Sequence, residues 1–148
     1  MPEAITPERF NLRVYGVWIS HERQVLLTQE QHQQAGELLK FPGGGVNHGE
    51  GPLDALRREW REETGLAILS AEHLYTTEFF QRSAFDPCEQ IISIYYRLSA
   101  PDTPAPQPQA GAEAIVRFRW EALEELPAEQ LSMPIDRHVW RLLQQSPR

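Results

Sequence analysis

The sequence predicts an α/β fold in which helices fall on either side of a central sheet, built as a single domain over residues 1–148. Three observations carry that expectation. Segments rich in Val, Ile, Tyr and Trp recur along the chain, a composition suited to strands. A capped, amphipathic helix is legible between Gly51 and Gly65, and a second apolar-periodic segment stands at 136–144. A length of 148 residues is enough chain to bury one proper core.

Taken in order, residues 12–20 alternate and read as a strand, with Gly16 marking either a bulge or a close backbone approach. His21, Glu22 and Arg23 make a polar turn, and 24–28 read as the returning strand of a hairpin. The glutamine-rich 29–37 is expected to be a loop at the edge of the site, and 38–41 a brief strand that delivers Pro42 and three glycines. After the helix, 67–80 contain an extended segment paired with 90–99, and 81–89 form the loop between them. Residues 100–109 (APDTPAPQPQ) are proline-rich and lack large apolar side chains, so they read as a flexible excursion that cannot join a sheet ladder. A last strand is expected over 113–120 and a C-terminal helix over 136–144, where Val139, Leu142 and Leu143 share a face.

The helix between Gly51 and Gly65 is the most informative segment. Pro52 stands at its first position, where a missing N–H costs nothing. Gly65 can take the left-handed conformation that closes a helix. Leu53, Leu56 and Trp60 make an apolar stripe at i, i+3 and i+7. Roughly opposite, Glu59, Glu62 and Glu63 at i, i+3 and i+4 share one face, where like charges repel. A hard divalent cation with oxygen ligands is the usual answer to such a cluster. The bland alternative is a solvated face neutralised by Arg57, Arg58 and Arg61, since exposed ion pairs are common and contribute little. That alternative leaves the glycines at 43–45 and Glu50, placed ahead of the helix, without a reason.

Residues 44–66 resemble the Nudix box: Gly44, Glu50, Arg58, Glu59, Trp60, Glu62, Glu63, Gly65 and Leu66 keep every spacing of that motif. Trp60 departs from it, since the family usually puts an aliphatic residue there. The Phe41-Pro42-Gly43-Gly44 lead-in and the tryptophan and Glu-Leu pair within 120–126 are also similar to the family. The resemblance implies a Nudix-type α/β/α sandwich with a mixed central sheet. It also implies a Mg²⁺-dependent pyrophosphohydrolase, with Mn²⁺ as an alternative ion, cleaving a nucleoside diphosphate linked to another moiety.

By the same resemblance, Glu59, Glu62 and Glu63 supply carboxylate ligands and the Gly43 backbone carbonyl another, with Gly44 supporting the loop. Arg58 and Glu50 match the family's supporting pair, expected to form an ion pair that orients the acidic cluster. The general base is expected at Glu59, with Glu113 and Glu89 as weaker candidates. Arg82 and Phe85 are the candidates for substrate contact, and Trp18 and Phe79 are expected in the core. His48 reads better as a solvated loop residue than as a phosphate contact.

A formal net charge of −7 argues against a surface that tracks a nucleic-acid polymer, which needs a basic stripe. A free nucleotide derivative remains open, because a bound metal offsets the repulsion. The single cysteine, Cys88, excludes an intrachain disulfide and fits a reducing compartment. The first fourteen residues do not resemble a signal peptide and no run is apolar enough for a membrane span, so a cytoplasmic location is expected, with a homodimer left open. Residues 80–83 (FQRS) match neither the ADP-ribose nor the dinucleoside polyphosphate pattern, so the substrate is not named. A different class of function, a ligand-binding regulatory domain without turnover, is weighed lower because every glutamate of the box is present. Isopentenyl diphosphate isomerase-like chemistry needs a catalytic cysteine that Cys88 does not resemble.

Overall fold

In the computed structural model, residues 5–111 and 114–146 are described. The elements run β1 (Arg9–Trp18), β2 (Gln24–His32), β3 (Gly36–Lys40), β4 (Gly43–Gly45), α1 (Pro52–Thr64), β5 (Ser70–Thr76), β6 (Glu89–Ser99), β7 (Ile115–Ala122) and α2 (Pro134–Gln145). A 3₁₀ turn, Ala128–Gln130, precedes α2. Strands β4-β1-β6-β5 form a mixed sheet, in which β1 and β6 are parallel and the other pairs antiparallel. Strands β3-β2-β7 form a second, antiparallel sheet.

Period-two alternation assigns neighbouring side chains to two cores. Val14, Trp18, Leu26 and Leu98 pack with Ala55, Leu56 and Trp60 of α1. Tyr15, Val17, Val25, Leu27 and Tyr95 pack with Ile135, Val139, Trp140 and Leu143 of α2. The strands are thus covered by a helix on each face, as the α/β sandwich requires.

Three local expectations are corrected. Strands β1 and β2 do not form a hairpin: both edges of β1 are taken, by β4 and β6, and only an isolated Ile19–Val25 bridge joins it to β2. Residues 29–32 are not loop but the second half of β2. Their polar composition hides a strand because the buried side chains find partners: Arg117 Nε donates to Gln29 at 2.8 Å and Lys40 Nζ to Glu30 at 3.2 Å. Phe79 is not in the core; it is 41% exposed and meets His138 edge to face, whereas Trp18 is buried as expected.

Residues 100–109 stay out of the ladders, yet the segment is tied to α1: Ala100 is buried in the α1 core, and the Gln107 N–H donates to the Thr64 carbonyl at 3.3 Å.

Gly16 marks a close approach. A Cβ there would stand 2.4 Å from both the Trp60 indole nitrogen and Leu98, so the absent side chain leaves room for the large ring at box position 60. The Trp60 N–H is buried and has no hydrogen-bond partner among the described residues. Trp60→Phe keeps a ring and removes that unsatisfied donor, so a change of less than about 1.5 kcal/mol is expected in denaturant melts. Trp60→Ala should cost about 3–5 kcal/mol in the same experiment.

Candidate active site

A cavity of about 440 Å³ opens where β1, β2, β4 and β6 meet the acidic side of α1. Alternation selects its lining: Asn11, Arg13 and Tyr15 come from β1, Glu30 and His32 from β2, and Ser93 and Tyr95 from β6. Helix α1 contributes Glu59 and Glu63.

Helix α1 holds its position through its ends. Pro52 occupies the first turn, the Asp54 carboxylate accepts the Gly51 N–H at 2.9 Å, and Gly65 closes the helix in the left-handed region at φ 77°. Strand β4 then supplies the room the acids need. Gly43 has φ 152°, and a Cβ there would lie 2.1 Å from the Val14 carbonyl. A Cβ on Gly44 would lie 2.5 Å from the Glu59 carboxyl carbon. The Gly43 N–H donates to Glu63 at 3.2 Å. Backbone and carboxylates therefore meet because β4 carries no side chains.

Arg58 organises the outer half. Its Nε and Nη2 donate to the two oxygens of Glu50 at 2.6 and 2.9 Å, the bidentate ion pair that the box resemblance implied. Nη2 also reaches the Gly45 carbonyl at 2.9 Å, and Nη1 donates to Glu59 at 3.0 Å and Glu62 at 3.3 Å. Hydrogen bonds from Arg58 and from the Asn47 N–H hold Glu50 at about 2, well below the usual carboxylate range.

The three box glutamates do not share one environment. Glu59 and Glu63 line the cavity, while the Glu62 side chain is 57% exposed beside Arg58, compared with 16% for Glu59. Burial pushes the Glu63 carboxyl up to about 8; Lys40 opposes that shift, and the charges of Glu30 and Glu59 add to it. A buried carboxylate short of positive charge is a donor that a divalent cation suits, and Mg²⁺ commonly binds through one or two carboxylates plus substrate phosphates. Glu59, Glu63 and the Gly43 backbone fit that requirement. Among the described residues no three His, Cys, Asp or Glu side chains converge on one point, and Glu62 instead accepts from Arg58 Nη1 at 3.3 Å.

The floor holds charges that sequence reading missed. Lys40 is buried, donates to Glu30 at 3.2 Å and to the Phe41 carbonyl at 3.1 Å, and lies 5.1 Å from the Tyr15 ring centroid. Burial disfavours its ammonium, yet Glu30 and the other nearby acids raise it above the usual range. Residues 28–32 are polar at every position, so no alternation in the sequence marks the face of β2 that carries Glu30 and His32 into the cavity.

Asp136, at the start of α2, accepts from the Tyr95 hydroxyl at 2.5 Å and the Phe41 N–H at 3.3 Å. Burial pushes its carboxyl up to about 6, against the Tyr95 hydrogen bond, which lowers it. Its folded value is raised, so this group favours the fold below its ordinary range and the benefit is lost as pH rises toward 6. Tyr95→Phe removes the donor that the charged form uses, and a cost of about 1–3 kcal/mol is expected at pH 8. A smaller cost is expected at pH 5, where Asp136 is largely protonated. Urea melts at the two pH values check the sign.

Of the remaining candidates, Phe85 lines the cavity and stacks on His32 at 5.8 Å. Arg82 also lines it, but its two Nη groups donate to the Pro87 and Ile5 carbonyls, so it builds the 81–89 loop. Glu113 lies outside the described residues. Glu89 and His48 stand along a separate groove beside Phe10 and Leu12, and Cys88 is a free thiol. No helix among the described residues is long and apolar enough to cross a membrane.

This glycine strand and acidic helix place the chain in a known class. The NUDIX domain family matches residues 10–143, and the chain belongs to that family. It is 40% identical over 76 residues to the 8-oxo-dGTP diphosphatase of Haemophilus influenzae, covering 51% of this chain and 52% of that protein. It is 44% identical over 50 residues to the RNA pyrophosphohydrolase of Bartonella bacilliformis, covering 34% and 28%. The chain thus spans about half, or less, of the length of these curated relatives. The crystal structure of a MutT NUDIX hydrolase from Burkholderia pseudomallei superposes with a TM-score of 0.76 over 94% of this chain and 100% of that one, at 21% identity, a likeness of fold.

Proposed function

We propose that this chain, acting as one domain, is a metal-dependent pyrophosphohydrolase that cleaves the phosphoanhydride bond of a small nucleotide derivative. The observation that carries this reading is the meeting of Glu59, Glu63 and the Gly43 backbone at one cavity edge. The names of the relatives, a diphosphatase and an RNA pyrophosphohydrolase, support the reaction class.

Glu59, Glu63 and the Gly43 carbonyl would hold Mg²⁺ or Mn²⁺, with Glu62 joining when it leaves Arg58. Such an ion neutralises charge on the phosphates and lowers the pKa of water. Glu59 accepts the proton of the attacking water as its oxygen bonds to phosphorus and the anhydride P–O bond breaks. Arg58, anchored on Glu50 and the Gly45 carbonyl, keeps Glu59 aimed at the cavity. Phe85 supplies an aromatic face at the mouth for a base or ring. With one cysteine and a formal net charge of −7, a reducing, cytoplasmic setting and a free nucleotide suit the chain better than a polymer.

The test is a panel of nucleoside triphosphates, 8-oxo-dGTP, nucleotide sugars, dinucleoside polyphosphates and an RNA bearing a 5′ phosphoanhydride, with Mg²⁺ or Mn²⁺. Release of phosphate, pyrophosphate or a mononucleotide from a panel member supports the reading. Specific binding of a member without any cleavage would make the chain a binding domain.

A further inference from the structure

Three Lys or Arg side chains line the cavity: Arg13, Lys40 and Arg82. Two of them are engaged. Lys40 is committed to Glu30 and the Phe41 carbonyl, and both Nη groups of Arg82 bond backbone carbonyls. Arg13 differs. Its Nε donates to the Tyr15 hydroxyl at 2.6 Å, and its guanidinium carbon lies 5.7 Å from the Tyr15 ring centroid. Neither Nη group has a hydrogen bond or an ion pair among the described residues.

The register explains where this guanidinium points. Arg13 of β1 is paired directly with Gly45 of β4, and the guanidinium lies beside that glycine. Its Nη1 stands 3.9 Å from the place a Gly45 Cβ would occupy. Glu59 and Glu63 are near enough to act on its charge, yet neither forms an ion pair with it. The result is a fixed cation with an open donor fork beside two carboxylates. That fork matches the paired non-bridging oxygens of a phosphate.

We propose that Arg13, held by Tyr15 beside Gly45, is the phosphate-binding arm of the cavity and takes one phosphate of the substrate's diphosphate bidentately. This rests on the pyrophosphohydrolase reading and names the anion subsite within it. The arm positions the phosphate chain against the carboxylates, so its loss weakens binding as well as turnover.

The test measures binding of inorganic pyrophosphate with magnesium chloride by calorimetry, for the full chain and for R13Q and R13K, each checked by thermal melt. R13Q is expected to weaken binding on the order of 10- to 100-fold, the effect of losing hydrogen bonds to a charged group. R13K should fall between R13Q and the unaltered chain, since an ammonium keeps the charge and lacks the fork. Unchanged pyrophosphate affinity in R13Q, or no binding by the unaltered chain, overturns the proposal. Should R13Q fold poorly, R13K decides: weakened binding supports the arm and unaltered binding overturns it. Nucleotide turnover separates the two readings. Arg13-dependent pyrophosphate binding without cleavage of any nucleotide sinks the hydrolase and leaves the phosphate arm. Cleavage whose KM is indifferent to R13Q sinks the arm and leaves the hydrolase.

Discussion

Glu59→Gln is expected to lower turnover by about 10²–10⁴-fold, a loss that added magnesium does not restore, because the substitution removes a general base. Glu63→Gln should behave differently. Its carboxylate is bonded to the Gly43 N–H and pushed toward neutrality by burial and by the charges of Glu30 and Glu59. Its loss damages cation affinity, so raising the magnesium concentration should recover part of the rate. Glu62→Gln should have the mildest effect of the three, since that side chain faces solvent beside Arg58. Without metal and above about pH 8, Glu63→Gln should melt at the same or a higher temperature, because it removes a charge that burial and two nearby acids disfavour. Rates and melts across a magnesium titration separate these outcomes. Full rescue of Glu59→Gln by metal would move the base elsewhere, and unchanged activity in all three variants would end the hydrolase reading.

Gly44→Ala is expected to collapse activity while sparing the fold. The atoms nearest the added methyl would be those of the Glu59 carboxyl group, 2.5–2.6 Å away, and that group is the far end of a flexible side chain. Glu59 must therefore swing out of position, and the rate should fall by at least the ~10²-fold that a misplaced catalytic group costs. Thermal stability should change little. Gly43→Ala makes the opposite pairing. There the methyl would meet the Val14 carbonyl and the Tyr15 Cα, backbone that cannot turn aside, at a φ that disfavours alanine. Loss of folding and loss of rate should come together in Gly43→Ala. Equal melting losses in both glycine variants would refute this division.

Helix α1 was legible almost residue for residue. Its signals are local: Pro52 at the start, Gly65 at the end and acids opposite an apolar stripe. The pairing of 90–99 with the segment after the helix was also readable, because β-branched and aromatic residues are dense there. What stayed hidden depends on contacts distant in sequence. That β1 is flanked by β4 and β6 rather than by β2 cannot be read from residues 12–28 alone. The end of β2 from Gln29 reads as a polar loop until Lys40 and Arg117 are placed beside its buried Gln29 and Glu30. Within the site, the box gave Glu59, Glu63, Arg58 and Glu50, whereas Arg13 carries no signal until its register opposite Gly45 is known.

The parallel pairing of β1 with β6 has a consequence for how the chain acquires its shape. Arg9 lies opposite Glu89 and Trp18 opposite Leu98, so the central ladder joins segments separated by the whole of β2, β3, β4, α1 and β5. Closing so large a loop costs entropy before any ladder bond repays it. The turn-rich unit from β4 through α1 can organise early, from contacts close in sequence. The sheet that gives it a floor must wait until residue 98 is available. Topologies dominated by such distant pairings complete folding in roughly milliseconds to seconds. During synthesis, the acidic helix therefore emerges well before the strand that closes its cavity.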